Sequence, residues 1–449
     1  MEMTLFSYTA SRENPSYKNY VNIELDRTLD RLLRMGLATE KENIAVTELG
    51  LRCAEELLSP ESILLLYNTI KENESKVKSV KDYEILTQGL IHLCCCTQDA
   101  YRIYPPKSDT EAQELDAIWV VSKNIYFYEP PDRETFLVTL RTTRMLLRWI
   151  EGVSYNDLYS YAPEGTIKRV AENIQWILRG LSRLIEKPLF NFREDFGTFL
   201  NELADRVNFG VPKNALMVSR LRIKGIHRLR SINLAKAGFE TVDALLDAGV
   251  GELEKIPDIG GILASRIKEQ TEQYIEDEMN RKKMIQVRLT YNLKKSSDLI
   301  DGLYNLHGDD LSKHISRVLK DEFKLDAEFI GTDRQHEPDI LIRTQEGNIV
   351  IEVKRREKGK VSAVEAEEIF GKGAKYKPIA HVTIGYPDFV DVAKENAINA
   401  KLTLIDITTI GELLVSFWQE KISSNDLIYV MRLGRYFFDV MTIIPKLTI

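Results

Sequence analysis

The chain has 449 residues, room for roughly three or four domains of ordinary size, and its 44% hydrophobic content is enough to bury real cores. A formal charge of −7 excludes a surface that grips nucleic acid everywhere, while Arg220 to Lys224 and Lys354 to Arg356 leave local basic faces. No apolar run reaches membrane-spanning length and no basic-then-apolar leader opens the chain, so a cytoplasmic protein with no membrane partner is expected.

Residues 1–78 read as a small helical domain. Leu25, Leu29, Leu32 and Leu33 recur at helical spacing, and Gly36 suits the left-handed residue that ends a helix. Ile44 and Val46 make a short extended segment, and a helix opens near Thr47-Glu48-Leu49-Gly50. Helix, glycine stop, short strand pair and helix form a winged-helix pattern, which the end of a generic helical bundle also satisfies. Residues 79–210 read as mostly helical, with breaks at Pro105-Pro106 and Pro130-Pro131 and helices over 143–150 and 166–185. Cys94-Cys95-Cys96 are consecutive. Neighbours on a helix point in different directions, so this run cannot close a tetrahedral zinc site alone and reads as buried, reduced thiols.

Residues 211–277 carry one small pattern twice. Leu221-Arg222-Ile223-Lys224-Gly225-Ile226 leads into a helix that ends at Ala237-Gly238, and 253–261 leads into a helix from Leu263. A glycine turn lets a backbone approach closely, and the helix start behind it offers N–H groups to phosphate. This is helix-hairpin-helix logic, a grip on the DNA backbone without base reading. Lys224, Gly225, Gly260 and Gly261 are the candidate contacts.

Residues 278–297 are charged and read as a linker. In residues 298–422 the period changes: Leu311, Ile315, Val318 and Leu319 make an amphipathic helix, and strands follow. Residues 423–449 form a tail of mixed apolar and aromatic residues with no assigned element.

The chemistry-bearing stretch is Glu337-Pro338-Asp339-Ile340-Leu341-Ile342, a turn around Glu346-Gly347-Asn348, and Ile349-Val350-Ile351-Glu352-Val353-Lys354. It reads as a β-hairpin. Alternation puts Glu352 and Lys354 on one face, and Asp339 meets them across the hairpin. Two converging carboxylates suit a hard divalent ion such as Mg²⁺, and an ammonium beside them can orient water or stabilise charge on phosphorus. A polar face on an edge strand would use the same residues. The pattern is short, but a helix before it, a helix expected over 363–372 and a strand over 380–385 supply context. Arg355 and Arg356 follow directly and are candidate phosphate contacts.

On these residues, the region 311–414 resembles the PD-(D/E)xK nuclease superfamily, nearest in style to Mrr-like restriction endonucleases. The resemblance implies a mixed sheet flanked by helices and Mg²⁺-dependent phosphodiester hydrolysis, with Mn²⁺ as a substitute. It makes Asp339, Glu352 and Lys354 catalytic, with Asp339 and Glu352 as metal ligands. Many members add an acidic ligand on the preceding helix, for which Asp310 and Glu322 are the candidates. Mrr-like members often carry glutamine on the following helix, where this chain has Glu365, Glu367 and Glu368.

The region up to about residue 273 resembles the C-terminal half of superfamily 2 DNA helicases of the archaeal repair and polymerase-theta type. That half holds a winged helix, a helical ratchet and a helix-hairpin-helix domain in this order. The run from Pro163 to Trp176 resembles the ratchet helix. Arg169 and Trp176 share one helical face, and the resemblance implies that they touch and stack on a single strand; a core role for Trp176 is an equal reading. No G-x-x-x-x-G-K-[ST] loop occurs, and Gly371-Lys372-Gly373 reads as a plain loop. Thr4-Leu5-Phe6-Ser7 resembles the stretch that follows the motor domains in such helicases.

The expectation is a multidomain chain, with an all-α N-terminal half followed by an α/β restriction-endonuclease-like domain. It would cut double- or single-stranded DNA as the partner of an ATP-driven motor with RecA-like domains, in a separate subunit or a longer protein, in defence against foreign DNA. A non-catalytic DNA-binding accessory, or a repair nuclease acting on forks, would use the same parts.

Overall fold

The computed structural model describes residues 17–40, 43–331, 336–438 and 440. These fall into two units: one holds the chain to Arg220 and Ile226–Lys236, the other Leu221–Gly225 and the chain from Ala237 onward. The Thr4-Leu5-Phe6-Ser7 stretch lies outside the described residues.

In the first unit, helix α1 (Tyr17–Arg34) stops at Gly36, whose φ of +69° costs glycine little. Strands β1 (Ala38–Glu40) and β2 (Ile44–Val46) pair antiparallel. Thr47 then caps α2 (Glu48–Glu56) by accepting the Gly50 N–H at 3.1 Å. Position 50 admits only glycine, since an added Cβ would run into the Leu37 carbonyl. Helices α3 (Pro60–Glu72), α4 (Thr87–Cys96), α5 (Asp109–Ser122), α6 (Arg133–Ile150), α7 (Glu164–Leu184) and α8 (Glu194–Phe209) follow. Most of them close around one core that includes Leu66, Leu90, Trp149, Ile174, Leu178 and Leu203. Cys94 and Cys95 are fully buried in it. The Arg141 guanidinium, 1% exposed, donates to the Tyr104, Ser160 and Tyr161 carbonyls and pairs with Glu111 at 2.6 Å, tying loops to α6. Helices α9 (Leu216–Arg220) and α10 (Arg228–Lys236) are anchored by Arg228. It lies 4.1 Å from the Trp149 ring and donates to the Gly210, Trp149 and Val153 carbonyls.

In the second unit, α11 (Val242–Asp247) and α12 (Val250–Leu253) lead to α13, one unbroken helix of 32 residues from Gly261 to Asn292. The expected linker over 278–297 is therefore mostly helix. Its charges face water, while Gln286 is 2% exposed, donates to the Thr408 carbonyl at 2.8 Å and accepts from the Tyr304 hydroxyl at 3.1 Å. Helices α14 (Asp298–Asn305) and α15 (Gly308–Arg317) precede a six-stranded mixed sheet.

The strands are β3 (Asp326–Phe329), β4 (Ile340–Thr344), β5 (Gly347–Arg355), β6 (Pro378–Tyr386), β7 (Leu402–Asp406) and β8 (Tyr436–Phe437), adjacent in that order. The first three run antiparallel, and β5 to β8 pair in parallel. One face carries Ile340, Ile342, Ile349, Ile351 and Ile384. It packs in one core with α13, α14, α15, α18 (Ile407–Trp418) and α19 (Ser424–Met431). The other face carries Leu341, Val350 and Leu404 under α16 (Ala363–Glu367) and α17 (Asp391–Ala400). Helix α16 is shorter than the 363–372 expected, because the chain tightens into a 3₁₀ turn over Glu368–Gly371. The tail from 423 is part of this domain, not an appendage. Leu427, Val430 and Met431, spaced on one helical face, are fully buried, and β8 closes the sheet edge.

Candidate active site and nucleic-acid interface

The register Ile340↔Ile351 fixes the site. Opposite residues of an antiparallel pair share a face, so the next pair outward, Asp339 and Glu352, points away from the isoleucine core, as does Lys354. Asp339 Oδ2 accepts the Val353 N–H at 2.7 Å, which holds the carboxylate against β5. Glu352 is 3% exposed, an unusual place for a carboxylate. Its Oε1 receives Lys354 Nζ at 3.0 Å and Lys372 Nζ at 2.5 Å. Its Oε2 is buried with no hydrogen-bond partner among the described residues. Lys354 also pairs with Glu368.

The local charges oppose one another. Burial, and then the like charge of Glu352, push the Asp339 carboxyl up to about 6, against the Val353 N–H, Lys372 and Lys354. Burial works against the Lys354 ammonium, yet Glu368 and Glu352 hold its pKa above the ordinary lysine value. Among the described residues no three His, Cys, Asp or Glu side chains gather to hold a metal ion. Two carboxylates remain as donors, one with an orphaned buried oxygen. That set fits a small hard cation, which keeps several waters and needs only one or two carboxylates.

Neither candidate for an extra acidic ligand joins this pair. Asp310 is exposed in the first turn of α15, and Glu322 ends the helical run, where Trp418 Nε1 donates to it at 2.7 Å. The two stand roughly 18 Å apart along the helix axis, and neither is named among the charges acting on Asp339. In place of a helical glutamine, Glu368 holds Lys354, while Glu365 pairs with Arg356 at 2.8 Å and caps α16 through Ser362. Arg355 lies on the opposite face of β5 from Lys354, flat on the Tyr386 ring at 3.6 Å. Its Nε and Nη1 are buried without a hydrogen-bond partner among the described residues. Sequence reasoning missed Lys372. The only signal was a lysine between two glycines, which also describes any surface loop.

The twin turns repeat more closely in backbone than in residue type. Ile223-Lys224-Gly225-Ile226 and Ile256-Pro257-Asp258-Ile259 both place their third residue at positive φ, +94° for Gly225 and +63° for Asp258. The counterpart of Gly225 is therefore Asp258, and Gly260 and Gly261 instead begin α13, whose N-cap Gly260 has no side-chain cap. A Cβ at 261 would meet only the carboxylate end of the exposed Glu254, which can swing aside, and a Cβ at 260 would meet nothing. The Lys224 N–H is taken by Gln270 Oε1 at 2.7 Å, so its exposed side chain, not its amide, is the group left to meet phosphate. On α7, Arg169 is exposed over the Tyr101 ring at 4.3 Å. Trp176 is half-buried against the core, and its N–H donates to the Glu56 carbonyl at 3.1 Å, which favours a packing role.

Residues 88–210 match the family model described as archaeal helicase, domain 4, and residues 221–272 match the SAM-like helix-hairpin-helix tandem. The chain is similar to archaeal DNA helicases. The ATP-dependent DNA helicase Hel308 of Methanocella arvoryzae is 24% identical over 280 residues, 60% of this chain and 35% of the relative. That of Aeropyrum pernix is 26% identical over 250 residues, 54% and 32% of the two chains, and that of Pyrobaculum calidifontis 26% over 254, 56% and 33%. The chain spans about a third of the length of these curated Hel308 relatives. The helix-rich part is thus a helicase-related, DNA-binding region carrying a helix-hairpin-helix tandem. The two family matches end at 210 and 272, before the sheet begins. No helix among the described residues is long and apolar enough to cross a membrane.

Proposed function

We propose that this chain holds DNA through its helix-hairpin-helix turns and hydrolyses a phosphodiester at Asp339, Glu352 and Lys354, with Mg²⁺ or Mn²⁺ on the two carboxylates. The observation that carries the reading is the buried, half-unpartnered Glu352, set opposite Asp339 and beside Lys354. A bare carboxylate there is costly, and a cation on Oε2 would remove the cost. When bound, the ion would polarise the phosphodiester and ease ionisation of water. Asp339 and Glu352 supply its oxygen donors. Lys354, beside Glu352, would orient the attacking water or stabilise charge developing on the phosphoryl oxygens. Lys372 neutralises Glu352 while no other cation is present. The Hel308 relatives are helicases by name, which supports an ATP-driven RecA-like motor as partner, in the same longer protein or a separate subunit.

Asp339→Ala and Lys354→Ala are expected to abolish Mg²⁺-dependent cleavage of DNA while leaving DNA affinity within about twofold. Unchanged cleavage rejects the nuclease. The second reading, a non-catalytic DNA-holding accessory, is favoured by the two lysines that already satisfy one oxygen of Glu352. Calorimetric titration with Mg²⁺ and Mn²⁺ separates the two readings: binding lost in Glu352→Gln supports the enzyme, and no binding to the wild type supports the accessory.

A further inference from the structure

The second helix-hairpin-helix turn and the sheet are joined by more than chain continuity. Asp243, on α11 of the tandem, is 7% exposed and pairs with Lys360 Nζ at 2.7 Å. Lys360 lies just beyond β5, and its other partner is Asp388 at 3.6 Å. Asp243 Oδ2 also accepts the Asp391 N–H, at the start of α17, at 3.2 Å. Lys394 closes the group by pairing with Asp388 at 2.7 Å. Further along α13, Glu272 meets Lys358 at 3.3 Å, four positions in sequence from Lys354. The same helix is seated in the sheet domain through Gln286. The first turn is fastened to this helix too, since Gln270 accepts the Lys224 N–H and Arg266 donates to the Lys224 carbonyl at 3.2 Å. Leu221–Gly225 of the first turn and the whole of the second therefore belong to the unit that carries the sheet.

A polar contact of this kind is a poor source of stability, because two charges leave water for it. What it supplies is a single geometry, since Asp243 has partners only in one seating. We propose that the turns and the sheet act as one DNA-holding body keyed by Asp243 and Lys360, so that the scissile phosphodiester lies at a fixed distance along the strand from the phosphates held by the turns. This rests on the nuclease reading for its second half. The path from Gly261 along α13 to Glu272, across the ion pair and back to Lys354 is at most about 45 Å. That is roughly thirteen nucleotide steps of DNA at about 3.4 Å each. Asp243 and Lys360 touch no substrate in this scheme and are positioning residues.

Two measurements on the full chain test it. Spin labels at the exposed Lys255 and Gln345, with Cys53 and Cys96 changed to serine, read the distance between turn and sheet. A single narrow distance, unchanged by added duplex DNA, is expected, and a broad one in the wild type overturns the proposal whether or not the protein cuts. Cleavage of an end-labelled duplex with a hairpin at one end reads the offset. The wild type should cut in a narrow window within about thirteen nucleotides of the protected backbone. Lys360→Met strands the Asp243 carboxylate and should spread the cuts over at least about twice that window, with total cleavage within about twofold. Asp243→Leu with Lys360→Met removes the stranded charge as well as the key, so it should regain the wild-type melting temperature while the window stays wide; a window as narrow as the wild type's would overturn the keying role. Cuts equally sharp in Lys360→Met overturn the keying role. A narrow distance with no cleavage by the wild type supports the rigid body and rejects the nuclease reading.

Discussion

Lys372 is placed to oppose a cation at Glu352. It is mostly buried, and its ammonium sits on the same oxygen that Lys354 uses. On the nuclease reading, Lys372→Ala is expected to lower the Mg²⁺ concentration for half-maximal cleavage by several-fold, because one positive charge beside the carboxylate that would take the ion is gone. The same change should destabilise the metal-free protein by about 1–3 kcal/mol, and Mg²⁺-dependent cleavage and thermal melts in EDTA check the two halves. His92 gives a second prediction. It is fully buried beside the stacked Trp119 and Tyr126 rings, and burial pushes its pKa down to about 3. A depressed folded value means stability is complete above the unfolded value near 6.5 and is lost as pH falls toward 3. His92→Phe should therefore flatten the loss of melting temperature between about pH 6 and 4 in the helical unit, while leaving its value at pH 8 nearly unchanged. Equal slopes for both proteins would reject this.

At the scale of elements, the tail makes the sharpest prediction. Leu427, Val430, Met431 and Phe437 are buried in the sheet-domain core, and each such side chain contributes about 1.5–3 kcal/mol. Ending the chain before Ser423 removes all four and bares the β7 edge. The loss rivals the whole stability of a domain, roughly 5–15 kcal/mol, so the truncated protein should aggregate or lose the sheet domain's melting transition. The sequence shows why this element was hard to read. The β4–β5 hairpin is written locally, as two short apolar, β-branched runs around a two-residue turn, and Asp339 and Glu352 follow from its register. Helix α19 did carry a local signal, Ser423 and Asp426 as a capping box ahead of Leu427, Val430 and Met431 at helical spacing, but it spans barely two turns; the two-residue β8 has no local period at all and gains its stability from residues far away in the chain. The charged face of α13 hid a helix in the same way: its buried side is sparse, with Met279, Gln286 and Thr290. Lys372 was illegible because a lysine between glycines becomes meaningful only when folding brings it to Glu352. Asp258 as the counterpart of Gly225 is hidden in the sequence, because the repeat lies in positive φ and not in glycine.

For the whole molecule, net charge says little about DNA. The chain carries −7 overall, but Arg222, Lys224 and Lys255 are exposed at the two turns and Arg266 lies partly exposed beside them. If these four neutralise phosphates, the logarithm of the binding constant should fall against the logarithm of salt with a slope near about −3.6. Arg222→Gln with Lys224→Gln should reduce that slope by about 2, read by fluorescence anisotropy at several salt concentrations. An unchanged slope would move the grip elsewhere.

The unbroken helix between Gly261 and Asn292 also limits how this protein can change over generations. Each residue inserted or deleted between the tandem and Gln286 would rotate the two ends by about 100° and shift them by about 1.5 Å. A single-codon insertion there would swing Asp243 away from Lys360, even where the inserted side chain itself faces water. Seven added residues, close to two full turns, would nearly restore the rotation but would still part the two ends by about 10 Å, so length changes in this stretch are expected to be rejected altogether.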